Sequence, residues 1–150
     1  MASTVGCSAA QLSASSALLE QQVGFVGLVA CLLARVADNN KALNDWVAAT
    51  DWVANLCVDE ANQSTTSVCL KIVDEDVQAM QADTQAALAK RIAALLDAEG
   101  VAYDIGAYRD APAGLRIWAG ATVDAADLAA LTPWLDWAFE SELNAQHQAA

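Results

Sequence analysis

The stretch SVCLKIV, residues 67–73, changes side-chain character at every step. Val68, Leu70 and Ile72 fall on one side, Ser67, Cys69 and Lys71 on the other. That two-residue rhythm is the pattern of a half-buried strand, because successive side chains of an extended backbone point to opposite faces. The neighbouring segments keep a different rhythm. Upstream, from about Gly27, Leu28, Leu32, Val36, Leu43, Trp46 and Val47 recur at helical spacing. Downstream, Leu88, Ile92, Leu95 and Leu96 form one helical stripe, with Asp83 placed to cap its start and Gly100 to end it. A strand bracketed by amphipathic helices restricts the chain to mixed architectures.

The remaining segments extend the pattern. VAYDI, residues 101–105, alternates, with Val101, Tyr103 and Ile105 against Ala102 and Asp104. GLRIWA, residues 114–119, alternates too: Leu115 and Ile117 share one face, Arg116 and Trp118 the other. A last helix from about Asp124 carries Leu128, Leu131, Leu135 and Phe139, with a kink or break expected at Pro133. Residues 50–63 are ambiguous between helix and a short separate piece, and DEDVQ, residues 74–78, reads as a polar connection. The predicted fold is α+β: a small antiparallel sheet of about three strands, covered on one face by helices and preceded by a long helix.

Residues 1–22 are rich in Ser, Ala and Gln and predict an atypical, poorly ordered start, leaving 23–150 as the domain. The run VGFVGLVACLLA, residues 23–34, is shorter than the ~20 apolar residues that cross a bilayer. No Lys or Arg precedes it, which argues against a signal peptide, so a buried helix is expected.

Charge narrows the function classes. The net charge is -12, from 19 acidic and 7 basic residues, which repels nucleic acid and anionic membrane. At 56% hydrophobic the chain is not a disordered one. Cys7, Cys31, Cys57 and Cys69 form no metal-binding spacing and His147 is the sole histidine, so no metal is expected and the thiols read as reduced ones of a cytoplasmic protein. The five tryptophans read as core or interface residues, and Cys69 has no base to make it a nucleophile.

Two of the four arginines, Arg109 and Arg116, flank the turn 110–114. Alternation turns Arg116 away from the helices, and Asp104 and Lys71 toward the same side. One reading is a solvated ion pair between Arg116 and Asp104. The other is an anion site, because a guanidinium fork matches carboxylate or phosphate and a second arginine could hold a second anionic group.

A resemblance bears on that choice. YDIGAYRDAPAGLRIWAGATVDAADLAALTPWLDWAF (103–139), TTSVCLKIVD (65–74) and NKALNDWVAATDWV (40–53) resemble, in the same order, the C-terminal end of phosphoserine aminotransferase. The likeness covers about Gly27 to Phe139, and nothing before Gly27 shares it. It implies the small domain of a homodimeric pyridoxal-phosphate enzyme of the aspartate-aminotransferase fold type. Such enzymes move an amino group between glutamate and 3-phosphohydroxypyruvate in serine biosynthesis. It implies that Arg116 grips the substrate α-carboxylate and that Arg109 helps bind the phosphate or distal carboxylate of phosphoserine or glutamate. Tyr108 stands where many members have a histidine.

The resemblance also marks which parts of such an enzyme are missing. Lys41 and Lys90 fall in helical patterns and Lys71 in mid-strand, so none has the setting of a cofactor lysine, and no catalytic residue is assigned. The expectation is a fragment that binds no pyridoxal phosphate and is inactive alone. The alternative is a stand-alone α+β module that binds an anion or a protein partner.

Overall fold

The computed structural model describes residues 9–108 and 110–149, with side chains for 24–108 and 110–148. The chain divides into two units, residues 1–34 and 35–150. One helix, α1 (Ala9–Ala48), runs through the boundary between them.

The first unit is the N-terminal part of α1. Backbone 9–22 is helical, and residues 1–8 lie outside the described residues. The apolar run does not behave as a buried helix: Phe25, Val26, Leu28 and Leu33 are each more than half exposed. No helix is long and apolar enough to cross a membrane among the described residues.

The second unit holds the core. Its strands are β1 (Val53–Asn55), β2 (Ser67–Ile72) and β3 (Leu115–Trp118). They form a three-stranded antiparallel sheet in sequence order, β2 in the middle. The register sets Val53 against Ile72, Cys69 against Arg116 and Val68 against Ile117. Val68, Leu70 and Ile72 are buried as their alternation requires, and so are Leu115 and Ile117. They meet Leu43 of α1, the stripe Leu88, Ile92 and Leu96 of α3 (Ala82–Ala98), and Leu128, Leu135 and Phe139 of α4 (Ala125–Ala149). Burying each such side chain contributes about 1.5–3 kcal/mol, so the apolar face of the sheet is what holds the helices.

Residues 101–105 are not a strand. Asp104 sits at φ 54°, outside extended backbone, and Ala102 and Ile105 are buried while Tyr103 is exposed. The chain touches the edge of β3 only briefly: Arg116 N–H donates to Ile105 O (2.8 Å), and Gly106 bridges Leu115. The third strand is instead β1. Its short ladder is extended at both ends, where Val73 N–H donates to Trp52 O (2.8 Å) and Leu56 N–H to Cys69 O (2.9 Å).

Helix ends follow local chemistry, with three changes from expectation. Asp74 caps a short helix, α2 (Glu75–Gln78), by accepting from Val77 N–H (3.1 Å), and this turn buries Val77 under the sheet. Helix α3 starts one residue before Asp83, which lies in its first turn, where a carboxylate suits the helix dipole. Gly100, at φ 70°, ends α3: Val101 N–H returns to Leu96 O and Gly100 N–H to Asp97 O, the pair of bonds that closes a helix through a left-handed residue. Helix α4 continues through Pro133 rather than breaking there. Proline withholds the N–H that Ala129 O would accept, and the Thr132 hydroxyl donates to that carbonyl instead (3.1 Å).

Candidate functional site around Arg116

Strand β3 presents Arg116 on the face away from the helices, opposite Cys69 of β2. Its side chain is 20% exposed. One terminal nitrogen donates to Asp104 Oδ2 (3.1 Å) and reaches Asp104 O (3.4 Å). The other donates to the Tyr108 hydroxyl (3.2 Å), and the guanidinium carbon lies 4.3 Å from the centre of the Tyr108 ring. Stacking on an aromatic face holds the planar fork while leaving its edge for an oxygen acceptor. The Nε atom is buried and has no partner among the described residues.

The positive φ of Asp104 makes the ion pair. It turns the chain so that this carboxylate, 92% exposed, comes back over the strand. Asp104 is thus a loop residue and not a member of a neighbouring strand, yet the pairing expected from alternation is present. A pair with one fully solvated partner contributes about 0–1 kcal/mol, so a carboxylate with more hydrogen bonds to offer could displace it.

Two glycines set this geometry. A Cβ on Gly114 would stand 2.0 Å from Leu70 O, so only glycine lets the turn close against β2 two residues before Arg116. A Cβ on Gly120 would stand 2.2 Å from the Trp118 ring, which lies over that residue and donates from Nε1 to Thr122 Oγ1 (2.8 Å). Trp118 remains 52% exposed beside Arg116 on the open face.

Lys71 shares that face of β2, two residues from Cys69 and so roughly 7 Å along the strand. It lines a cleft of about 370 Å³ with Pro112 and Ala113 of the turn. A second cleft, about 300 Å³, lies between α3 and the turn, with Lys90, Gly106 and Tyr108 in its walls. The structure therefore gathers Arg116, Asp104 and Tyr108 directly and Lys71 nearby. Arg109 lies outside the described residues.

Asn39 was not singled out by the sequence. It is fully buried on α1, and its Nδ2 donates to Ala119 O (3.3 Å), Gly120 O (2.9 Å) and Val123 O (2.9 Å). These bonds fix the loop that follows β3. Arg35, one turn earlier, donates to Val123 O (3.1 Å) and pairs with Asp124. The signal was available: Asn39 is four residues before Leu43 and falls in line with the buried stripe.

The lysines do not fit a pyridoxal-phosphate site. Lys41 lies on the exposed face of α1 paired with Asp45, Lys90 is exposed on α3, and Lys71 is the last residue but one of β2. Lys71 does line the cleft beside the turn, but the other walls of that cleft hold no carboxylate for a pyridine nitrogen and no second cation for a phosphate. Among the described residues no group of three or more His, Cys, Asp and Glu could hold a metal ion.

Comparison with known proteins meets this geometry. The chain is 40% identical over 114 residues to phosphoserine aminotransferase of Methanosarcina barkeri, and 38% identical over 115 residues to that of Methanosarcina mazei. Over these residues it is a homologue of phosphoserine aminotransferase. The matches take in 76% and 77% of this chain but 28% of each relative, consistent with a C-terminal piece of such an enzyme. A solved structure concerned with radiation damage of the Schiff base in phosphoserine aminotransferase shares the fold. Its TM-score is 0.53 at 14% identity, covering 72% of this chain and 27% of that one. No protein-family model matches the chain.

Proposed function

We propose that residues 35–150 are the substrate-binding small domain of a phosphoserine aminotransferase. Arg116 holds the substrate α-carboxylate in a forked pair of hydrogen bonds, and Asp104 occupies that fork when substrate is absent. Tyr108 keeps the guanidinium plane in place. Arg109, across the turn, takes the phosphate or distal carboxylate, so that one site accepts both phosphoserine and glutamate. The reaction served is amino transfer between glutamate and 3-phosphohydroxypyruvate in serine biosynthesis, in a cytoplasmic, homodimeric enzyme. Pyridoxal phosphate, which supplies the amino-group chemistry, is held by residues other than these 150, so the chain alone does not bind it and does not transaminate.

The observation that carries this reading is the setting of Arg116. Its guanidinium is stacked on Tyr108 and turned to the open side of the sheet, one terminal nitrogen donating to the exposed Asp104 carboxylate and the other to the Tyr108 hydroxyl. The test is a chimera in which residues 35–150 replace the matching end of the Methanosarcina barkeri enzyme. Arg116→Ala in an active chimera should lower kcat/KM for phosphoserine by roughly 100-fold, the loss expected when charged hydrogen bonds are removed. An unchanged kcat/KM would refute the assignment. Pyridoxal phosphate retained by the isolated chain after gel filtration would contradict the cofactor statement.

A second reading rests on the completeness of the Arg116 cluster within one chain: Asp104, Tyr108 and Arg116 need no other polypeptide. Under it the domain is a stand-alone anion-binding or interaction module. Calorimetry separates the two: saturable binding of phosphoserine or glutamate to the isolated chain favours the module, and its absence favours the enzyme domain.

A further inference from the structure

Among the described residues Arg35, Arg91 and Arg116 each pair with a carboxylate, and so does Lys41. Lys90 has no such partner but is exposed, so water solvates it. Lys71 is different. It is half-buried and pairs with no carboxylate among the described residues, although the chain holds 19 acidic residues against 7 basic ones. A charge partly withdrawn from water is normally paired.

The space beside Lys71 is a built cleft of about 370 Å³. Sites for small ligands run from ~300 to 1,000 Å³. Gly114 makes the cleft possible. A Cβ there would stand 2.0 Å from Leu70 O and 3.4 Å from Lys71 Cα, so bare backbone lets Pro112 and Ala113 stand against β2 as a wall. Leu56, just after β1, adds to the apolar lining. Gln78 of α2 and Gln85 of α3 supply the polar part. Hydrogen bonds orient both amides: Gln78 Nε2 donates to Ile72 O (2.7 Å), and Gln85 Nε2 donates to Met80 O (3.0 Å) and Gln78 O (3.4 Å). Their side-chain oxygens accept from no group among the described residues and remain open to a donor.

This set of groups selects a ligand. One ammonium calls for one anionic group. The two amide oxygens call for N–H donors on the same molecule, and Leu56, Pro112 and Ala113 for an aliphatic body. An aliphatic α-amino acid has all three, whereas phosphoserine or glutamate would bring a second anionic group that meets no cation here. The other candidate occupant is a carboxylate from the part of the longer relatives that this chain does not match, since it spans 28% of each. A lone carboxylate would leave both amide oxygens and most of the apolar space unfilled.

We propose that this cleft binds a small aliphatic α-amino acid. Lys71 Nζ holds the carboxylate, Gln78 and Gln85 accept from the ammonium, and the side chain lies against Leu56 and Pro112. The site is independent of what Arg116 holds.

A nuclear magnetic resonance titration of the isotope-labelled 150-residue chain with L-leucine tests it. The expected result is a saturable shift of the Gln78 and Gln85 side-chain amide signals. L-Leucinamide keeps the ammonium and the side chain but lacks the carboxylate, and should bind at least about 10-fold more weakly. Lys71→Met keeps the apolar stem and should weaken leucine binding by roughly 10- to 100-fold, the loss of a charged hydrogen bond. All five tryptophans lie in residues 35–150, so unchanged tryptophan emission shows that the variant keeps the fold of that unit. No saturable shift at millimolar leucine would overturn the proposal and leave Lys71 to a carboxylate of a longer protein. Leucinamide binding as tightly as leucine would also overturn it, as would leucine binding that Lys71→Met leaves unchanged.

Discussion

Val68, Leu70 and Ile72 of β2 and Phe25, Leu28 and Leu32 of α1 are equally apolar, and the structure treats them oppositely. The strand residues are 2–6% exposed, the helix residues 43–67%. The difference lies in what each segment meets. The face of β2 has three helices to receive it, whereas among the described residues of its unit the helical run meets only its own turns. Apolar character fixes which residues seek cover; topology decides which of them find it inside the chain.

Leucine truncation gives the sharpest way to break that contrast. Leu70→Ala should destabilise residues 35–150 by roughly 2–5 kcal/mol, as expected for a large side chain deleted from a packed core. Leu33→Ala should change the same transition by less than about 0.5 kcal/mol. Urea unfolding followed by tryptophan emission measures both, and equal losses would erase the distinction. Glycines supply the next test. Gly114→Ala drives a methyl into Leu70 O and should cost about 1–3 kcal/mol. Gly24→Ala meets nothing within 4 Å and should raise the helix signal in circular dichroism, worth ~1 kcal/mol. The smallest effect belongs to Lys41→Ala. It removes a solvated pair with Asp45 one turn along α1 and should shift stability by less than about 0.5 kcal/mol in the same unfolding measurement.

Those contrasts also show where sequence reading works. The alternation through Val68, Leu70 and Ile72, and again through Leu115 and Ile117, placed both strands and both faces correctly, because one buried face makes register unambiguous. The stripe Leu88, Ile92 and Leu96 did the same for α3. Five residues from Val101 to Ile105 misled, since Asp104 takes a left-handed conformation that its neighbours do not announce. The three residues of β1 were too few to show a rhythm, and their strand character comes from pairing with β2. The apolar run 23–34 showed a need for cover, and nothing in it said that Phe25, Leu28 and Leu33 would stand exposed.

The site divides in the same way. Arg116 was legible because its position follows from alternation, and the contact with Asp104 followed even though the loop path differed. The stacked Tyr108 was not: its ring reaches the guanidinium through a turn whose course alternation cannot describe. Asn39 went unnoticed because an amide in a helical stripe looks like a lapse in the pattern until the three carbonyls of the 119–123 loop are in view.

The account depends on Arg116 standing outside the packed interior, and a truncation series along β3 tests that most directly. Leu115→Ala and Ile117→Ala should each lower unfolding stability by roughly 2–5 kcal/mol. Arg116→Ala, between them, should lower it by no more than about 1 kcal/mol, the value of a pair with a solvated partner. An Arg116→Ala loss as large as that of its two neighbours would mean that the guanidinium supports the core, and a substrate-facing role would then be contradicted.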